Sequence, residues 1–236
     1  DGFRFLINDD DKTAILIENI SSRDDILIPK SIEYNFNEYI IIAIGKGAFR
    51  SSRKIKSVHF QKDSELKQIG KYAFANSSIT AISIPSHVSL IEEGAFYGCH
   101  KLEKFELPMN SELKSISPLV FFDSSLNSFN IPSKLSNLEE RSCFKLPNLT
   151  KLSISPVNMN LSYYDENFII AKSDVDQSYN ILIMARRNIK KARIPSFINR
   201  IAPYAFDECK QLVEVIFTDN SELQTIDKNA FSNTLI

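Results

Sequence analysis

Apolar residues recur along this chain in two alternating spacings. One is a pair three apart: Ile41/Ile44, Leu66/Ile69, Val88/Ile91, Leu113/Ile116, Leu135/Leu138, Ile198/Ile201 and Leu223/Ile226. The other is a triplet spaced three then two: Ile55/Val58/Phe60, Ile79/Ile82/Ile84, Leu102/Phe105/Leu107, Leu126/Phe129/Ile131, Leu149/Leu152/Ile154 and Leu212/Val215/Phe217. The last two members of each triplet alternate with polar residues, the period of a strand with one buried face. Proline often follows (Pro29, Pro85, Pro108, Pro132, Pro195) and suits the end of a strand, having no N–H to give. Between pair and triplet stands a phenylalanine: Phe49, Phe74, Phe96, Phe121, Phe144, Phe206 and Phe231.

The steps between these phenylalanines are 25, 22, 25, 23, 62 and 25 residues. All but one fall in the period of leucine-rich repeats, about 20–29 residues. The stretch from Ser64 to Phe74 returns from Ser221 to Phe231 with seven of eleven residues identical. A small residue precedes most of the phenylalanines, with Val120 and Cys143 as exceptions. The segment around each ring is too short for a full helix and is expected to be one turn of 3₁₀ or α. A single repeat cannot bury its apolar face; stacked repeats can. The expected fold is a leucine-rich repeat solenoid, mainly β, with parallel strands stacked on one side and one short helical or 3₁₀ turn per repeat.

Two stretches break the pattern. Residues 3–17 read as a hairpin, Phe3–Ile7 and Ala14–Ile17 joined by a polar turn over Asn8–Asp11. Residues 168–184 repeat the idea, and a proline-closed strand follows each at matching distance. The chain is therefore expected to be one elongated unit over 1–236. It divides into a hairpin cap at 3–17, a first ladder at 26–154, a hairpin insertion at 155–188 and a second ladder at 189–236. The last ladder stops at Leu235-Ile236, where the next strand is due, so the chain is expected to be a piece of a longer array. No signal peptide is read at Asp1.

Composition narrows the function classes. Twenty-eight basic and 29 acidic residues leave a formal charge of −1, no global reason to expect nucleic acid or an anionic membrane. No apolar run approaches the roughly 20 residues of a membrane span. His59, His87 and His100 lack metal-ligand spacing, and neither a nucleophile elbow nor a phosphate-binding glycine loop occurs. No catalytic, metal or cofactor site is expected. The acidic run Asp9-Asp10-Asp11 is read as a hairpin turn. Cys99 and Cys209 occupy the same repeat slot 110 residues apart, so free, mostly buried thiols are expected for all three cysteines, Cys143 included.

The pattern Leu102-x-x-Phe105-x-Leu107-Pro108, then Leu113-x-x-Ile116, then the Ala-Phe turn, resembles the BspA-type leucine-rich repeats. Ile194-Pro195-Ser196-Phe197-Ile198 through Cys209 is similar to protist versions, notably those of trichomonads. The resemblance covers about 26–154 and 181–236. It implies a non-enzymatic cell-surface antigen that attaches to host cells or matrix, with proteins or glycans as partners. An intracellular scaffold or recognition module of the same fold is the alternative. The asparagine ladder of ordinary leucine-rich repeats is absent, so their ligand-binding habits do not transfer.

The candidate site is a surface. If the triplet strands stack in parallel, the residues flanking each middle member point outward: Ser57/His59, Ala81/Ser83, Lys104/Glu106, Ser128/Asn130, Lys151/Ser153, Lys191/Arg193 and Glu214/Ile216. His59, Ser83, Lys104, Glu106, Asn130, Lys151, Lys191 and Arg193 are the candidate partner contacts. The face lacks aromatic rings and the chain lacks Trp, so weak multivalent attachment is expected rather than a tight anchored interface. The basic cluster from Arg186 to Arg193 reads as the solvated face of one strand, with Ile189, Ala192 and Ile194 turned to the core. Sequons at Asn19, Asn76, Asn148 and Asn160 are eligible for glycosylation if a eukaryote secretes the chain.

Overall fold

A computed structural model describes residues 2–138, 146, 148–173, 175 and 177–236. Phe144 and Cys143 lie outside the described residues. In chain order the strands begin with β1 (Phe3–Asn8), β2 (Thr13–Asn19), β3 (Asp25–Ile28), β4 (Ser31–Tyr34) and β5 (Asn37–Ile44). The first ladder continues with β6 (Ser57–Phe60), β7 (Gln68–Ile69), β8 (Ala81–Ser83), β9 (Leu90–Ile91) and β10 (Lys104–Glu106). It ends with β11 (Ser115–Ile116), β12 (Ser128–Ile131), β13 (Asn137–Leu138) and β14 (Lys151–Ile154). Then come β15 (Leu161–Tyr164), β16 (Phe168–Ala171), β17 (Ile181–Ala185), β18 (Lys191–Ile194), β19 (Arg200–Ile201), β20 (Glu214–Phe217) and β21 (Thr225–Ile226).

These strands stack into a solenoid. The triplet strands form one parallel sheet in the order β14-β12-β10-β8-β6-β3, and β18 and β20 form a second. The paired positions form the opposite wall, β1-β2-β5-β7-β9 in the first part and β15-β16-β17-β19-β21 in the second. Each expected hairpin is there, β1 with β2 and β16 with β17, and each enters its wall through a parallel pairing, β2 with β5 and β17 with β19. Two strands were not expected from the sequence: β15, antiparallel to β16, and β4, antiparallel to β5 across a tip at Asn35-Phe36. Both tip residues have positive φ (49° and 59°), as a type I′ turn requires. The usual glycine is absent there, which hid the hairpin.

The described phenylalanines of the series lie inside as two columns. Phe49 stacks on Phe74 at 4.8 Å, Phe74 on Phe96 at 5.2 Å and Phe96 on Phe121 at 5.9 Å; Phe206 and Phe231 stack at 4.7 Å. Strands in a sheet lie about 4.7–4.9 Å apart, so one ring per coil matches the rise of the stack. Phe3 meets Phe49 edge-on, and Phe168 meets Phe206 edge-on, so each hairpin lids a column in the same way.

Among the described residues, the turn that carries each ring is not a helix. Ala73, Ala75 and Ser77 donate N–H to the carbonyls of Gly70, Tyr72 and Phe74 within the turn. Tyr72, Phe74 and Asn76 instead donate to Glu93, Ala95 and Tyr97 of the next coil. A 3₁₀ run would send every N–H inward. Here alternate peptides are flipped outward by residues of positive φ, in pairs such as Tyr72/Asn76, Gly94/Gly98, Leu119/Asp123 and Asn229/Asn233. The turn thus becomes a third hydrogen-bonded side of each coil, and its donors are accounted for without a helix.

Cys99 and Cys209 are free and buried. The Cys99 thiol donates to Phe74 O at 3.1 Å, and burial pushes it up to about 11. Burial also raises Cys209, against the pull of the Arg187 guanidinium 3.9 Å away.

Candidate partner-binding face

On a parallel sheet with one buried face, alternate residues must point outward. Ile26, Val58, Ile82, Phe105 and Phe129 are buried, so their flanking residues form the outer surface of the first sheet. The pairing is in register: Asp25 beside Ser57, Ser57 beside Ala81, Ala81 beside Lys104, Lys104 beside Ser128, Ser128 beside Lys151. The second row runs Leu27, His59, Ser83, Glu106, Asn130, Ser153. The structure therefore brings His59, Ser83, Glu106 and Asn130 into one row, and Lys104 and Lys151 into the other. Sequence reasoning missed the first rung, Asp25 and Leu27, although Pro29 marks the end of that strand.

The groups on this face are held to different degrees. His59 Nε2 lies 3.2 Å from Asp25 Oδ1, and Ser83 donates to Glu106 at 2.5 Å. Asn130 is committed to the backbone: its Nδ2 donates to Leu107 O at 2.9 Å and its Oδ1 accepts from Leu107 N at 3.4 Å. The side chain thus replaces the ladder where β10 and β12 stop pairing after Phe105 and Phe129. Lys104 and Lys151 are exposed and have no ion pair among the described residues. They flank a shallow groove of about 300 Å³ that runs over β10, β12 and β14.

Lys191 and Arg193 belong to the separate two-strand sheet, so the expected seven-rung face is two faces. Between them stands the β15–β17 module, which offers no strand to this side. Lys191 is paired with Glu214 at 2.7 Å, and that carboxylate raises its pKa; Arg193 is exposed beside Ile216. In the basic cluster, Ile189, Ala192 and Ile194 are buried as expected. Arg187 departs from the expectation. It is 3% exposed and its Nη1 donates to Ala185 O and Ala205 O, both at 3.2 Å. The solvated-strand reading holds for Lys191 and Arg193 and fails for Arg187, whose planar fork ties a turn to the hairpin above it.

Aromatic groups sit on the turn side instead, where Tyr97 stacks on Phe122 at 5.1 Å and meets Tyr72 edge-on. Of the sequons, Asn76 and Asn148 are exposed and Asn19 and Asn160 half-buried. Asn19 Oδ1 already accepts from Ser21 N at 3.2 Å.

The chain resembles solved structures of leucine-rich repeat proteins. It matches the pneumococcal vaccine antigen PcpA with a TM-score of 0.80 at 20% identity, covering 98% of this chain and 65% of that one. A leucine-rich repeat protein from Eubacterium ventriosum matches with a TM-score of 0.73 at 18% identity, over 98% of this chain and 61% of that one. A leucine rich cell surface protein from Faecalibacterium prausnitzii matches with a TM-score of 0.57 at 20% identity, over 96% and 74%. The chain thus spans about two thirds of the length of the first of these. No curated protein matches it by sequence. The family model for the BspA type leucine rich repeat region matches six copies, over residues 30–150 and 166–236. The stacked coils and this match together make the chain a member of the BspA-type leucine-rich repeat family, a family of protein-interaction modules.

Proposed function

We propose that the chain is a non-enzymatic adhesion module displayed on a cell surface, where it attaches to proteins or glycans of host cells or matrix. The observation that carries this reading is the outer strand face. It is solvent-facing, polar and in register over six strands. Lys104 and Lys151 stand two strands apart, roughly 10 Å at the usual strand spacing. Such spacing suits repeated acidic or sulfated groups on a partner. Without an aromatic anchor each contact is weak, and many modules on one cell supply the avidity. The names of two fold neighbours, a vaccine antigen and a cell surface protein, agree with display outside the cell.

The test is binding of the chain to host-cell surfaces and matrix proteins. Replacing Lys104, Lys151, Lys191 and Arg193 together by Glu is expected to weaken binding at least tenfold. Binding of the unaltered chain should also fall as salt rises, since exposed charges are screened beyond about 8 Å at physiological ionic strength. Undiminished binding by a folded quadruple variant would refute this face. Surface labelling of intact cells tests the location, and recovery of the protein from cytosol alone would refute it.

A further inference from the structure

The charged groups of the outer strand face are unevenly committed. Asp25 accepts from Ser57 and lies 3.2 Å from His59, and Glu106 accepts from Ser83 at 2.5 Å. Ser83 is on β8, so the Glu106 carboxylate is drawn away from β12. Lys104 and Lys151 have no ion pair among the described residues. In register between them stands Ser128, whose hydroxyl has no hydrogen-bond partner among the described residues. Asn130, the other outward residue of β12, is folded onto the backbone of Leu107. A strand of short side chains thus lies between two long cations, and the groove of about 300 Å³ follows from it. Phe105 and Phe129 are buried beneath, so the side chains turned toward the groove from β10 and β12 are polar.

We infer that Lys104, Ser128 and Lys151 cradle one sulfate group of a sulfated polysaccharide, an inference that rests on the adhesion reading above and names its ligand. The two ammonium groups close on the anion from either side on flexible stems, and the Ser128 hydroxyl donates from the strand between them. Exposed Ser153 and Glu106, on the second row, are left to bond sugar hydroxyls. A protein partner would bring aromatic or apolar anchors, and this polar groove has no place for them. The second outer sheet does not repeat the cradle: Glu214 already pairs with Lys191 at 2.7 Å, and Ile216 stands beside Arg193. Lys191 and Arg193 are therefore bystanders to this ligand.

The probe is a heparin oligosaccharide, titrated into the whole chain by calorimetry beside its desulfated form and poly-glutamate. The sulfated probe is expected to bind saturably, and the other two at least tenfold more weakly. Lys104→Gln with Lys151→Gln should cost at least tenfold in affinity; both positions are exposed, so folding is preserved. Ser128→Leu, which fills the dip at unchanged charge, should cost a similar factor, whereas Lys191→Gln with Arg193→Gln should stay within about twofold. No binding of the sulfated probe at millimolar concentration overturns the proposal. So does an equal loss in the two double variants, which would reduce the effect to overall charge. Equal binding of poly-glutamate would assign the groove to an acidic protein and overturn it as well. A chain that attaches to host cells or matrix but ignores the oligosaccharide would sink this inference and leave the adhesion reading standing; the opposite pair of results would do the reverse.

Discussion

Single residues set how closely the coils approach. Gly70 shows it best: a Cβ there would lie 2.8 Å from Ile44 O and 2.9 Å from the Gly45 carbonyl carbon, both backbone atoms of the coil above. Gly70→Ala is expected to cost about 1–3 kcal/mol through overpacking that no side chain can relieve. Gly47 is the contrast. It has φ +66° but nothing nearer than Arg50 Cβ at 3.8 Å, so Gly47→Ala should cost only the left-handed strain, about 1–2 kcal/mol. Urea titration of both variants checks the ranking, and the reverse order would mean the coils are not this close. Cys99 offers a second test. With its pKa at about 11, the thiol should resist alkylation at pH 8 until the chain unfolds. The sign follows: the unfolded thiol, near the ordinary 9.0, loses its proton first, so this contribution to stability is full below pH 9 and is lost as pH rises toward 11. Rapid labelling of Cys99 itself in the native protein at pH 8, located by peptide mapping, would contradict the burial.

At the scale of elements, Asn158 joins the first ladder to the β15–β17 module. Its buried Nδ2 donates to Pro132 O and Leu135 O at 2.9 and 2.8 Å, and its Oδ1 accepts from Asn160 N and Leu161 N at 3.0 and 2.9 Å. Asn158→Ala strands several buried groups at about 1–3 kcal/mol each, so the loss should exceed roughly 2 kcal/mol. A circular-dichroism melt measures it, and a change under 0.5 °C in midpoint would refute the role. Strand positions were legible in the sequence because burial on one face writes a period of two into the residues. The ring-bearing turns were legible as segments but not in conformation. Tyr72, Leu119 and Tyr204 take positive φ without the glycine that usually signals it; at Tyr72 the N–H donates to Glu93 O of the next coil. β4 and β15 were missed for a related reason: Asn35-Phe36 and Asp165-Glu166 are hairpin tips of positive φ with no glycine. The outer row of the candidate face could be read from spacing alone, whereas the commitment of Asn130 to Leu107 depends on where two strands part, which no local pattern records.

The whole molecule is a stack in which coils contact their neighbours and little else, so its stability is a chain of local agreements. Its two hairpin modules carry outer faces of opposite character. Where the face of the module is apolar, as at Ile169 and Met184, another ladder sits on it; where Arg4 and Glu18 stand, water does. Arg4→Ile combined with Glu18→Met should therefore create a sticky end. At the other end Val213, Phe217, Ile226 and Leu235 are exposed, so light scattering is expected to find head-to-tail association of the variant. A strictly monomeric variant would mean that the ion pair does not act as a closure. The most direct test of the stacked-coil account is amide exchange in Phe96→Ala, which empties the middle of the aromatic column. Removing a buried Phe costs about 3–5 kcal/mol. Faster exchange is predicted at Phe74 and in the strands β8 and β12 on either side, as well as in the coil of residue 96 itself. Acceleration confined to residues 92–107, with both neighbouring coils as protected as before, would contradict it.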